Sequence, residues 1–139
     1  MLARSLVFCL VAPLAAQDAA NDKQELEKLQ GDWVQVSETV RGVAAPERAL
    51  RKATLKSDQW TLTLSASGNQ ISVTFTLDGT KDPKSIDQKT SSGGVRPGIY
   101  KVEGEMLTIC FAVAVAGERP KEFKATETTA LQVWKRAGK

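Results

Sequence analysis

The sequence predicts a mostly-β domain, a small antiparallel barrel of seven or eight strands with a short helix ahead of the first strand. Three observations carry this. Trp60, Leu62 and Leu64 alternate with Thr61 and Thr63, and Ile71, Val73, Phe75 and Leu77 alternate with polar partners, which is the period-two pattern of strands with one buried face. Turn formers recur at short spacing, Ser67-Gly68-Asn69 after the first of these runs and Glu103-Gly104-Glu105 further on. No long helical pattern separates the strands. A β-sandwich fits the same signals and is the alternative, but a leading helix favours the barrel because it can plug one end.

The chain opens with a different kind of segment. Arg4, an apolar stretch from Leu6 to Leu14 and the small residues Ala15 and Ala16 have the layout of a cleavable signal peptide. The stretch is too short for a membrane span, which takes about 20 apolar residues. The expected organisation is a leader over residues 1–16 and a single β domain over 17–139, exported to the periplasm or secreted, with no transmembrane segment in the mature chain.

Within the domain, Asn21 to Gln30 sets Leu26 and Leu29 among charged residues, and Asn21 or Asp22 can cap, so a short amphipathic helix is predicted. Gly31 ends it, and Asp32 to Ser37 reads as the first strand. Arg41 to Lys52 reads as a loop with one or two helical turns around Pro46. A strand ending near Leu55 precedes the hairpin Gln59–Ser65 and Gln70–Leu77. Asp78 to Pro97 loses periodicity and carries turn residues, so a long mobile loop is predicted there. A second hairpin joins Gly98–Val102 to Met106–Phe111, with Ala112 to Ala116 as an extension. Phe123 is expected to begin a further strand, and Ala130 to Arg136 to form the last.

Composition then removes whole classes of chemistry. The chain has 19 basic and 16 acidic residues, scattered, which is far from the concentrated positive field of a nucleic-acid binder. It has no histidine, so Ser-His-Asp and Cys-His catalysis and the commonest transition-metal ligand are lacking. Beyond the leader it keeps one cysteine, Cys110, set among apolar residues where an inert buried thiol is expected. No cofactor and no metal site are expected.

Gly31-Asp32-Trp33 after a short helix, with Lys135-Arg136 on the last strand, resembles the lipocalin arrangement. There a tryptophan on the first strand covers the barrel floor and a cation from the last strand stacks on it; an ordinary core tryptophan is the alternative. A longer set of motifs is similar to the lineage-specific uncharacterized domain family of planctomycete bacteria: Leu29-Gln30-Gly31-Asp32-Trp33, Asp82-Pro83-Lys84-Ser85-Ile86-Asp87, Gly98-Ile99-Tyr100, Leu107-Thr108-Ile109-Cys110, Arg119-Pro120-Lys121-Glu122-Phe123 and Lys135-Arg136. This resemblance spans nearly all of the mature chain. It implies a bacterial envelope or secreted location and a lipocalin-like barrel, and it carries no assigned activity.

The candidate ligand-binding or structural residues are the polar and aromatic members of those motifs: Trp33, Asp82, Lys84, Asp87, Tyr100, Arg119 and Arg136. In the structural account Asp82 starts a turn, Asp87 pins a loop, and Arg119 pairs with one of these carboxylates. The alternative is a carboxylate-dependent enzyme using Asp82, Asp87 or Glu122 with Tyr100. Arg41, Arg48, Arg51, Lys52 and Lys56 form a loose basic cluster, suited to an anionic envelope surface or to a solvated helix face. The leading expectation is a non-enzymatic binding or interaction module of the envelope, with a small apolar ligand or an envelope protein as partner. Its interior is expected to be wholly apolar (Trp60, Leu62, Leu64, Ile71, Val73, Phe75, Leu77, Leu107, Ile109, Phe111) and mostly packed. Function would then fall to the loops Arg41–Lys52 and Asp78–Pro97. N-terminal sequencing of protein recovered from host cells is expected to begin near Gln17; an intact Met1 would contradict the leader.

Overall fold

A computed structural model of the chain describes residues 14–64 and 67–138. Helix α1 (Leu14–Leu29) leads into β1 (Gly31–Val40), a two-residue β2 (Val43–Ala44), a 3₁₀ turn (Glu47–Ala49), β3 (Arg51–Lys56), β4 (Gln59–Leu64) and β5 (Gln70–Asp78). Then come β6 (Lys84–Lys89), β7 (Val95–Glu103), β8 (Met106–Ala112) and β9 (Thr129–Arg136). From β3 to β9 each strand pairs antiparallel with the next in sequence, and β1 pairs with both β3 and β9, so eight strands close into a barrel with β2 appended to β1. Closure leaves no long exposed sheet edge.

Residues 1–13 of the expected leader lie outside the described residues, and the expected cleavage point after Ala16 falls at the start of α1. The helix begins before Asn21, so Asn21 and Asp22 are interior helical positions and not caps. Its last turn plugs one end of the barrel, with Leu29 1 % exposed and Leu26 packed on the core.

That end is locked by aromatic and cationic groups. Trp33 is fully buried, and its indole N–H donates to the Leu29 carbonyl at 2.9 Å. The Arg136 guanidinium stacks 4.3 Å from the Trp33 ring centre and donates to the carbonyls of Gln30 and Lys28, both at 2.8 Å. Those are carbonyls of the helix C-terminus, where a cation is favoured and no intrahelical donor remains. Gly31 links helix to strand at φ +111°, and a β-carbon there would also stand 3.4 Å from Arg136 Nη1. Lys135, the other basic residue of the motif, is exposed on the outer face.

Two segments depart from expectation. Asp78–Pro97 is not a long mobile loop: it holds the whole of β6 and the start of β7, each paired on both sides. The strand β6 turns Lys84, Ile86 and Gln88 inward, so two of its three core-facing residues are polar and the usual alternation is lost. Phe123 begins no strand. The segment between β8 and β9 instead crosses the outside of the barrel, where Cys110 and Ile99 are buried although they point away from the interior. Lys101 Nζ sits 4.8 Å from the Phe123 ring centre, and Thr129 Oγ1 donates to the Lys124 carbonyl at 2.8 Å, which hold this strap down.

Replacing Arg136 by Met keeps the aliphatic stem but removes the stack and two charge-assisted hydrogen bonds, for an expected loss of about 2 kcal/mol. Arg136→Lys restores only part of it, because an ammonium cannot fork across two carbonyls. Chemical denaturation checks both, and an Arg136→Met variant as stable as the parent would contradict the lock.

Candidate functional site

The barrel interior is divided. Near α1 it is filled: Trp60 meets Trp134 edge-on and Phe75 at a tilt, ring centres 5.3 Å apart in each case, with Leu55, Leu77 and Leu107 buried alongside. At the opposite end it opens into a cavity of about 240 Å³. Trp60 and Phe75 form its floor, and Leu62, Val73, Ile71 and Phe111 line its apolar wall, with Ile71 46 % exposed at the mouth. The expected inward set is therefore largely correct, although Leu64 is only partly buried.

The expectation of a wholly apolar interior is overturned by Gln132, Glu38 and Arg51 on β9, β1 and β3 and by Gln88 and Arg96 on β6 and β7, which also line the cavity. Local backbone geometry puts them there. The ladder between β1 and β3 stops at the pair Val34–Lys52, and past it the Gln35 side chain takes the ladder's place, its Oε1 accepting from the Arg51 backbone N–H at 3.1 Å. A register shift between Gln35 and Ser37 then changes the phase of β1, so that Glu38 faces inward after Gln35 has done so.

Glu38 is held by several donors: Gln35 Nε2 at 2.9 Å, Arg51 Nη2 at 3.4 Å and Gln132 Nε2 at 3.4 Å. The Trp134 indole N–H donates in turn to Gln132 Oε1 at 3.1 Å, so the network runs from the aromatic floor to the mouth. Such a network leaves the Glu38 carboxyl without an orphaned acceptor inside the barrel. Arg96 differs in having no ion pair among the described residues. Its Nε, like that of Arg51, is buried with no partner among them, as is Oε1 of Gln88, its cross-strand neighbour. Within the basic cluster read from the sequence, Arg51 belongs to this interior, while Arg41, Arg48, Lys52 and Lys56 are exposed.

The residues singled out from the sequence lie elsewhere and in two groups. At the closed end Tyr100 donates to Glu25 Oε2 at 2.9 Å, while Lys84 and Lys28 donate to Glu25 Oε1 at 2.8 and 3.0 Å. Burial opposes the Glu25 charge, but these donors outweigh it and hold the carboxyl below its ordinary range. Burial and the neighbouring Glu25 charge push the Tyr100 phenol well above its own. Outside the barrel Arg119 donates to Asp87 Oδ1 at 2.6 Å and to the Gly98 carbonyl at 2.7 Å, binding the strap to β6 and β7. Asp82 and Glu122 are exposed, and their side chains make no hydrogen bond or ion pair among the described residues.

Asp82, Asp87, Glu122 and Tyr100 therefore share no pocket. Trp33, Lys84, Tyr100, Arg119 and Arg136 close the barrel and fasten its strap. Glu38, Gln88, Arg96 and Gln132 were missed in the sequence because a polar side chain at an inward position looks like a break in the pattern. Burial raises the Cys110 thiol, and its Sγ donates to the Lys124 carbonyl at 3.5 Å, which leaves it a packing group. Among the described residues no three His, Cys, Asp or Glu side chains gather as a metal site, and no helix is long and apolar enough to cross a membrane. In comparisons with known proteins, no family model, curated protein or solved structure matches the chain.

The Glu25 cluster makes stability depend on pH in a stated direction. Its folded-state pKa lies below the ordinary value of 4.5, so its contribution is present above about pH 4.5 and is lost as pH falls through the folded value. Glu25→Gln should destabilise by about 1–3 kcal/mol at pH 7. The gap to the parent should narrow at pH 3; urea unfolding at both pH values checks this, and an equal gap at each would contradict it.

Proposed function

We propose that this protein is an exported, non-enzymatic binding module of the bacterial envelope, a lipocalin-like member of the planctomycete domain family, and that it takes a small ligand in the open half of its barrel. The signal-peptide layout of the first 16 residues supports export, and the motif resemblance supports the family. One observation carries the ligand seat: a barrel packed with three buried tryptophans at one end widens into a cavity of about 240 Å³ at the other. A concave, largely apolar site with a few convergent polar groups is the ordinary form of a small-molecule site.

The enzymatic alternative needs the carboxylates Asp82, Asp87 and Glu122 to converge, and their separate positions favour binding. At about 30 Å³ per atom the cavity accommodates roughly eight non-hydrogen atoms. A ligand that small sets a modest affinity, a Kd of about 10 µM to 1 mM. Titration with 1-hexanol and with hexanoate, followed by calorimetry and by tryptophan emission from Trp60 on the cavity floor, is expected to saturate in that range for at least one of them. Val73→Trp fills the cavity and should abolish binding, whereas Thr61→Trp on the outward face of β4 should leave it unchanged. Binding that survives Val73→Trp, or no binding of either compound, would overturn the reading.

A further inference from the structure

We infer that the ligand of this cavity is a small monoanionic amphiphile, a short carboxylate whose head is held by Arg96 and whose apolar body lies against Ile71, Val73 and Phe111. The inference rests on the cavity being the ligand seat and adds the ligand's chemistry to it.

The charges on the lining give the sign. Three charged side chains face the cavity, Glu38, Arg51 and Arg96, leaving one net positive charge. Arg51 is paired with Glu38, which also accepts from Gln35 and Gln132. The Arg96 side chain has no ion pair and no hydrogen bond among the described residues, so that where Arg51 has only its Nε unmet, the whole guanidinium of Arg96 is without a protein acceptor, its Nε buried. A guanidinium nitrogen withdrawn from water without an acceptor is costly, and an anion is the acceptor that relieves it best. A cation entering the same space would meet Arg96 directly, since Glu38 is already held by three donors. A dianion would bring its second charge toward Glu38. The lining thus selects one negative charge.

Position gives the rest of the molecule. Gln88 stands directly across from Arg96 on β6, and its buried Oε1 also lacks a partner. The orientation of a glutamine amide follows from its hydrogen bonds, and turning it over puts Nε2 where Oε1 stands, adding a second donor to an anion at Arg96. Carboxylate geometry suits such a pair of donors. On the strands flanking this pair, β5 beside β6 and β8 beside β7, Ile71, Val73 and Phe111 offer only carbon. The cavity volume limits the whole ligand to about eight non-hydrogen atoms, the size of hexanoate.

The decisive comparison holds the apolar body constant and changes the head. Hexanoate, 1-hexanol and hexylammonium are titrated at pH 7 into the parent protein and into Arg96→Gln and Arg96→Lys. In the parent, hexanoate should bind about ten- to a hundredfold more tightly than 1-hexanol, and hexylammonium more weakly than either. Arg96→Gln should bring hexanoate down to the level of 1-hexanol without moving 1-hexanol by more than about twofold, and Arg96→Lys should keep part of the preference. Equal binding of hexanoate and 1-hexanol by the parent would overturn the anionic ligand while leaving the cavity as a seat. No binding of any of the three would overturn both. A preference for hexanoate that persists in Arg96→Gln would overturn the role of Arg96. Circular dichroism confirms folding of the variants, and should Arg96→Gln fail to fold, the three-head comparison in the parent and in Arg96→Lys still decides.

Discussion

The stack of Arg136 on Trp33 stands where helix, first strand and last strand meet, and the barrel's closure depends on it. Trp33 and Arg136 are register partners across β1 and β9, the seam that turns an eight-strand sheet into a barrel. The same guanidinium caps the carbonyls that α1 leaves exposed at its end, so helix docking and sheet closure share one side chain. Substituting either partner therefore affects two contacts that are separate in sequence. An isolated cation–π contact is worth about 0.5–2 kcal/mol; here it is joined to hydrogen bonds that would otherwise be unmet inside the fold.

Sealing one end so thoroughly determines what the other can be. The large side chains Trp33, Trp60, Trp134 and Tyr100 are all spent within the half next to α1. The open half is lined by smaller aliphatic groups and by polar side chains, which do not fill a barrel of this circumference. The bulge in β1 contributes to the same division. It bends the strand away from β3, and the gap is bridged by Gln35 and by the Glu38–Arg51 pair instead of by backbone hydrogen bonds.

How much of this was legible in the sequence follows from which side chains happened to be apolar. The hairpin of β4 and β5 could be read because every inward residue from Trp60 to Leu77 is apolar and the turn falls at Gly68. Trp33 with Arg136 could be read because a glycine, a tryptophan and a terminal basic pair sit at recognisable places. The strand β6 could not, since Lys84 faces inward to reach Glu25 and Gln88 faces inward to line the cavity. Glu38 was hidden by the bulge, which shifts the strand's phase by an amount no periodicity records. The strap after β8 was misread as a strand for the opposite reason: Phe123 is apolar, but it packs under Lys101 on the outer surface. Of the residues chosen as candidates, Asp87 and Arg119 do pair, as the structural account of them held, and the residues that line the cavity were not among them.

The polar wall of the cavity is not explained by stability. A buried ion pair such as Glu38–Arg51 gains from its Coulomb attraction roughly what it loses in desolvation, and well-packed apolar residues of similar volume are often as good or better. A barrel selected only to fold would have continued the leucines and phenylalanines of β4, β5 and β8 around to β1, β6 and β9. This one instead surrounds an apolar floor with two arginines, a glutamate and two glutamines, satisfies the glutamate fully, and leaves Arg96 without an ion pair. The imbalance is specific: the donors converge on Glu38 until its charge is accounted for, and the surplus is a single cation beside a carbon-lined wall. Folding does not call for that surplus, whereas recognition of one negative charge on a small apolar body does.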